Sequence, residues 1–183
     1  MKIIQTPIRF YPAIGGVEKY VLDLSKELVK QGNQVKVICA NDPSSEVKNF
    51  EGIKIERLKY YGKIANTNLC WGLFSKLMKE EFDIIHTQMP TPWSSDISAL
   101  VSLIKKKPLI LTYQNDLIKK GFANIIAKTY NNTFLRLLLK RSSKIIITQP
   151  KYLEYSKYLK NYKDKIVVIP NAVDVNKFKE IKV

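Results

Sequence analysis

The sequence predicts an α/β fold with a doubly wound, mainly parallel sheet, and two observations carry that prediction. Short β-branched runs alternate with helix-period stretches along most of the 183 residues, the strand–helix–strand rhythm of a parallel sheet. The runs Ile145-Ile146-Ile147 and Ile166-Val167-Val168-Ile169 are apolar throughout, as expected of strands covered on both faces. A chain of this length holds one such domain with a real core, or two very small ones at most.

The first strand is predicted at residues 2–5. A helix follows at 16–32, where Val17, Tyr20, Val21, Leu24 and Leu28 recur at three- and four-residue steps. Glu18, Lys19, Lys26, Glu27 and Lys30 take its other face, and Gly32 stops it. Further strands are expected at 34–40, 53–59, 83–87, 109–113, 144–148 and 165–169. Helices are expected at 69–81, 94–106, 117–141 and 150–161, and loops at 41–45 and 61–68. The Asn131-Asn132-Thr133 triplet fits a glycosylation acceptor, but inside a predicted helix chance explains it better.

Composition excludes several classes. No apolar run approaches the roughly 18 residues of a membrane span. The apolar stretch at the start is too short for a secretory signal, so a cytoplasmic location is expected. Cys39 and Cys70, far apart and without a CxxC pair, make no zinc site and read as buried or free thiols. The net charge is +15, and it is unevenly placed: residues 100–183 hold 18 Lys/Arg against 5 Asp/Glu. Such a field favours an anionic partner, namely nucleic acid, an acidic membrane surface or a phosphate-bearing substrate. The plainer alternative is a set of solvated, lysine-rich helix faces. Between residues 151 and 163, Tyr152, Tyr155, Tyr158 and Tyr162 alternate with cations. No RNA- or DNA-binding signature accompanies them, so anionic lipid heads are the preferred partner over nucleic acid.

Four segments can carry chemistry. In Arg9-Phe10-Tyr11-Pro12-Ala13-Ile14-Gly15-Gly16-Val17-Glu18-Lys19, two glycines after the first strand open a helix whose N-terminal amides suit a phosphate or carboxylate. Alternatively, they only shape a tight turn. The pattern is neither GxGxxG nor a P-loop. His86, the single histidine, falls at the carboxyl end of a predicted strand, where open α/β sheets bind ligands; it reads equally as a hydrogen-bonded core histidine. Thr112-Tyr113-Gln114-Asn115-Asp116 breaks a buried strand into amides suited to sugar hydroxyls. Asp116 by itself reads better as the cap of the helix expected from Leu117. Ile169-Pro170-Asn171-Ala172-Val173-Asp174 reads as an interdomain turn.

Taken in order, these four segments, with Phe178 after the last, resemble the amino-terminal half of a GT-B glycosyltransferase of the retaining, family 4 type. The resemblance implies two Rossmann-like domains with the active site in the cleft between them. Residues 1–170 would be the acceptor-side domain. Residues 171–183 would begin the interdomain linker, with Asn171 and Asp174 at its hinge, and the donor-binding domain would lie outside this chain. Gly15 and Gly16 would lie against the donor diphosphate, and Gln114 would take the catalytic place near the transferred sugar where the family usually has histidine. An amide can hydrogen-bond a sugar there but cannot carry a proton. Glu18, Lys19, His86, Gln88, Asn115 and Asp116 would contact substrate.

The activity implied is transfer from a nucleoside diphosphate sugar to a hydroxyl acceptor, with no metal or cofactor; the excess of Lys/Arg in residues 100–183 points to an acceptor that is lipid-linked or of the cell envelope. From its charge, the second half adds an anionic membrane surface as the further partner. The alternative is a non-catalytic module binding a glycan or phosphate, or a subunit completed by a partner chain. Two departures from the family pattern are Gln88, where relatives commonly have histidine, and Ala172, where glycine is usual.

Overall fold

The computed structural model describes residues 1–64, 67–118 and 120–172. In chain order they form β1 (Lys2–Gln5), α1 (Gly16–Lys30), β2 (Gln34–Ala40), β3 (Asn49–Phe50), β4 (Ile53–Leu58), β5 (Lys63–Ile64) and β6 (Thr67–Asn68). Next come α2 (Gly72–Lys79), β7 (Ile84–Met89), α3 (Ser94–Ile104), β8 (Leu109–Tyr113), α4 (Phe122–Asn132) and α5 (Phe134–Arg141). Last are β9 (Lys144–Ile147), α6 (Tyr152–Tyr155), a 3₁₀ turn at Lys160–Lys165 and β10 (Ile166–Val168). The main sheet runs β10-β9-β8-β7-β1-β2-β4-β3. Its pairings are parallel except for β3, which lies antiparallel to β4.

Right-handed crossovers account for the layers. The chain steps outward from β1 to β2 through α1, then steps the other way from β4 through β7, β8, β9 and β10. One face therefore buries Phe10, Val21, Val35, Val37 and Ile53 under α1. The other buries Leu73 and Leu77 of α2, Val101 of α3 and Leu135, Leu138 and Leu139 of α5 against Ile85, Leu111 and Ile145. Gly32 and Lys106, at positive φ of 81° and 53°, reverse the chain between α1 and β2 and between α3 and β8. Among the described residues no helix is long and apolar enough to cross a membrane.

The differences from expectation have local causes. The stretch 117–141 is two helices, not one. It starts only after Gly121, at φ 59°, and breaks at Thr133 (φ −114°, ψ −84°), whose hydroxyl donates to the Thr129 carbonyl at 2.8 Å. The helix expected at 150–161 shortens to four residues because buried Ser156 leaves helical geometry (ψ 111°) to reach Asp116. Within the expected loop at 61–68, β5 and β6 form a small hairpin. Asn131 is buried and its Nδ2 donates to the Leu117 carbonyl at 2.9 Å, which leaves no room for a glycan. Of the four tyrosines between 151 and 163, Tyr158 is buried and Tyr152 and Tyr162 pack against the core, while Tyr155 is exposed.

Candidate functional site

In a parallel sheet every strand's carboxyl end opens on the same side, and ligands of open α/β sheets bind there. Three neighbouring strands, β1, β7 and β8, send the candidate segments to that side.

The segment after β1 carries the glycines. Gly15 is in extended backbone (φ −179°, ψ 165°), which any residue adopts, so its requirement is space. A Cβ there would lie 2.1 Å from Glu18 Oε2. Glu18 is buried against this corner, and Arg9 Nε donates to its Oε1 at 3.2 Å. Gly16 begins α1, is exposed, and has open space where a side chain would stand. The Gly15 carbonyl accepts the first helical bond, from Lys19 N at 2.9 Å. The amides of the first turn have no helical carbonyl to donate to, and they carry the helix's partial positive charge. The corner is open to solvent: Ile14 beside it is fully exposed. A hollow of about 270 Å³ lies against it, walled by Tyr11, Pro12, Gly15, Glu18 and Lys19 among others. Lys19 is exposed, and its ammonium pairs with Asp23 one turn on.

The end of β7 is closed. His86 is 4% exposed and Gln88 is wholly buried, so neither side chain stands where a substrate would reach it. Over His86 the cover comes from α1, through Tyr20. Tyr20 OH from α1 lies 3.0 Å from Thr112 Oγ1, and His86 Nε2 lies 2.8 Å from the same oxygen. Burial pushes His86 down to about 4, so the imidazole is neutral at pH 7. Burial pushes the Tyr20 phenol up, against the pull of its bond to Thr112. Gln88 Nε2 donates to Gln5 Oε1 at 3.3 Å. Gln5 Nε2 and Gln88 Oε1 have no hydrogen-bond partner among the described residues.

Thr112 thus holds buried His86 and half-buried Tyr20 with one hydroxyl. Thr112→Val is expected to leave both unpaired and to destabilise the fold by about 1–3 kcal/mol. Urea denaturation measures this, with Thr112→Ser restoring most of the loss. A wild-type midpoint for the valine variant would show that the shared bond carries no stability.

The segment after β8 is tied down at its start and open beyond. Gln114 N donates to the Met89 carbonyl at 3.1 Å, and Gln114 is half-buried while Asn115 is exposed. Asp116 caps no helix, because α4 begins at Phe122. Its Oδ1 instead accepts from Ser156 Oγ at 2.8 Å and from Tyr113 OH. Burial raises the Asp116 carboxyl, opposed by the Ser156 bond and the charge of Lys157. Asn171 is exposed just past β10, while Asp174 and Phe178 lie outside the described residues. Two residues do work that the sequence does not assign to them, Arg9 although it opens the first candidate segment. Tyr20 sits in the apolar stripe of α1 and reads as core, and Arg9 is nine positions from the carboxylate it holds.

Comparisons with known proteins agree with this architecture. Residues 14–177 match Glycosyltransferase Family 4. The D-rhamnosyltransferase WbpZ of Pseudomonas aeruginosa is 24% identical, over 88% of this chain and 42% of that protein. The O-antigen chain mannosyltransferase C of Escherichia coli is 26% identical, over 95% of this chain and 46% of that protein. Among solved structures, Anabaena HepE in complex with UDP-glucose superposes with a TM-score of 0.62 at 19% identity, over 96% of this chain and 45% of that one. The catalytic domain of Arabidopsis starch synthase IV, bound to ADP and acarbose, gives 0.66 at 12% identity, over 96% and 52%. The chain spans about half the length of the curated relatives it matches. The fold is that of the Rossmann-like GT-B glycosyltransferases. With the match running through nearly all of its length, the chain belongs to Glycosyltransferase Family 4.

Proposed function

We propose that this chain is the acceptor-side half of a retaining glycosyltransferase, which moves a sugar from a nucleoside diphosphate sugar to a hydroxyl of a lipid-linked or cell-envelope glycan. The observation that carries the reading is the solvent-open corner at Gly15 and Gly16, where a helix N-terminus leaves a phosphate room to approach. Family membership and the names of the rhamnosyl and mannosyl transferases above support it.

In this reaction the bond between the anomeric carbon and the phosphate oxygen breaks, and the nucleoside diphosphate leaves with the electron pair. The acceptor oxygen forms the new bond and gives up its proton. The first amides of α1 face the charge that grows on the leaving diphosphate, which is where fixed dipoles act most strongly. Gln114 and exposed Asn115 supply neutral donors and acceptors to the sugars. Glu18 and Lys19 shape the corner. The neutral, buried His86 and Gln88 support the strand ends from beneath rather than touch substrate. Residues 1–170 provide this half, residues 171–183 lead toward the donor-binding half, and polypeptide beyond these 183 residues or a partner chain supplies that half.

The test is a radiolabelled transfer assay with GDP-mannose and UDP-glucose as donors and a polyprenyl-diphosphate-linked sugar as acceptor. The 183 residues alone are expected to bind acceptor and transfer nothing, while their union with a donor-binding half transfers sugar. Turnover by the 183 residues alone would overturn the division into halves. Binding without turnover in the united protein would favour a non-catalytic module, the reading toward which Gln114 leans.

A further inference from the structure

We propose that Arg9 is a positioning residue of the phosphate corner: it holds the Glu18 carboxylate back against Gly15 and offsets its charge, so that the first turn of α1 stays receptive to a diphosphate. The inference rests on the reading of that corner given above and names a residue to which that reading gives no part.

Glu18 is the third residue of α1, the place from which an acid reaches back over the opening turn of its helix. Such a carboxylate favours the helix and at the same time rivals any anion that seeks the same amides. Here it stands at the corner itself. Its Oε2 lies where a Cβ on Gly15 would come within 2.1 Å of it, and the residue walls the hollow of about 270 Å³. The side chain is 9% exposed, so water screens it poorly. An unanswered charge there would repel an arriving phosphate at close range.

Arg9 supplies the counter-charge. Half-buried in the segment after β1, it donates from Nε to Glu18 Oε1 at 3.2 Å. The pair ties that segment to the helix and leaves the other carboxylate oxygen toward Gly15. Lys19, next in sequence, is engaged elsewhere, with Asp23 one turn on. The charge of Arg9 also reaches Asp42, but that carboxyl is lowered first by hydrogen bonds from Lys63 and Asn68, and it keeps both without Arg9. The arginine therefore acts on the corner through Glu18, and a double change that removes both charges should cancel its effect.

The experiment is isothermal titration calorimetry of the chain with inorganic pyrophosphate at about 0.15 M salt, which screens loose attraction to its cationic surface. Arg9→Gln is expected to weaken binding by about tenfold, because it leaves a poorly solvated carboxylate without its counter-charge. Glu18→Gln is expected to tighten binding by about threefold. The double variant should return to within about threefold of wild type, as should Arg9→Lys, which keeps the charge. A residue that only braced the loop would give another pattern, with each single change weakening binding and the double weakening it further. Glu18→Gln that fails to tighten binding, or Arg9→Gln that binds as wild type does, would overturn the proposal while leaving the corner as the phosphate site. Binding that survives Gly16→Asp, or no binding of millimolar pyrophosphate by any variant, would remove the corner and the proposal with it. Circular dichroism checks that each variant folds. Were Arg9→Gln to unfold, Glu18→Gln decides the matter by itself.

Discussion

Gly16→Asp is expected to lower kcat/KM of the united transferase by about a hundredfold or more while leaving the fold intact. The space at Gly16 is empty, so the new side chain meets nothing, and an acid in the first turn favours the helix by a few tenths of a kcal/mol. The same carboxylate would face the leaving diphosphate. At about 5 Å and an effective dielectric near 20, each pair of like charges repels by about 3 kcal/mol. The amides beside it would also lose their intended partner, and removing one such donor commonly costs about 10²–10³ in kcat. Gly16→Ala, which adds bulk without charge, separates the two effects and should stay within about tenfold of wild type. The measurement pairs thermal denaturation with transfer kinetics. An aspartate variant that is both stable and fully active would remove the diphosphate from this corner.

Acidification from pH 7 to pH 4 is expected to cost the fold about 3 kcal/mol through His86 alone. Burial holds this imidazole at about 4, against an ordinary 6.5, so the folded state takes up its proton later than the unfolded chain does. The contribution is fully present above pH 6.5, is lost as pH falls toward 4, and is constant below that. About 2.5 pH units correspond to roughly 3 kcal/mol. Other groups titrate in the same range. At Glu56 and Glu80 burial is outweighed by hydrogen bonds from Lys36 and Lys76, so they too lose stability on acidification. Asp96 and Asp116, raised chiefly by burial, act in the opposite direction. The His86→Gln variant isolates the effect, since the amide of Gln reaches the position of Nε2 and keeps the bond to Thr112. Urea midpoints at pH 7, 5.5 and 4 should fall less steeply for the variant. Parallel curves would show that His86 titrates normally.

Most strands were legible because burial on two faces leaves a signature in every position. β10 corrects that expectation: it is the last strand of the sheet, and Val167, Val168 and Ile169 are exposed rather than covered on both faces. Residues 34–40 and 109–113 were read with the boundaries they have. Helix ends were less so. Thr133 and Ser156 interrupt helical runs through bonds to Thr129 and Asp116, and the second of these partners is 40 positions away. Local pattern contains no trace of such a partner. The same limit governs the site. Paired glycines ahead of an amphipathic helix announce an open corner, and the corner is open. A histidine at a strand's end announces only its place along the strand. Whether it meets solvent depends on Tyr20, which arrives from another element to bond the hydroxyl His86 shares. Asp116 was read as a cap because capping is local, whereas its true partners include a residue of a segment that folds back from beyond β9.

The two chain reversals at Gly32 and Lys106 imply a division of labour between opposite poles of the domain. Turns feeding into strands need only redirect the backbone, so drift in their sequences is judged by folding alone. Segments leaving strands line the side where the proposed ligand would bind, and there each substitution would be judged by chemistry. Specificity for a new sugar or anchor could therefore be acquired at one pole without renegotiating the other.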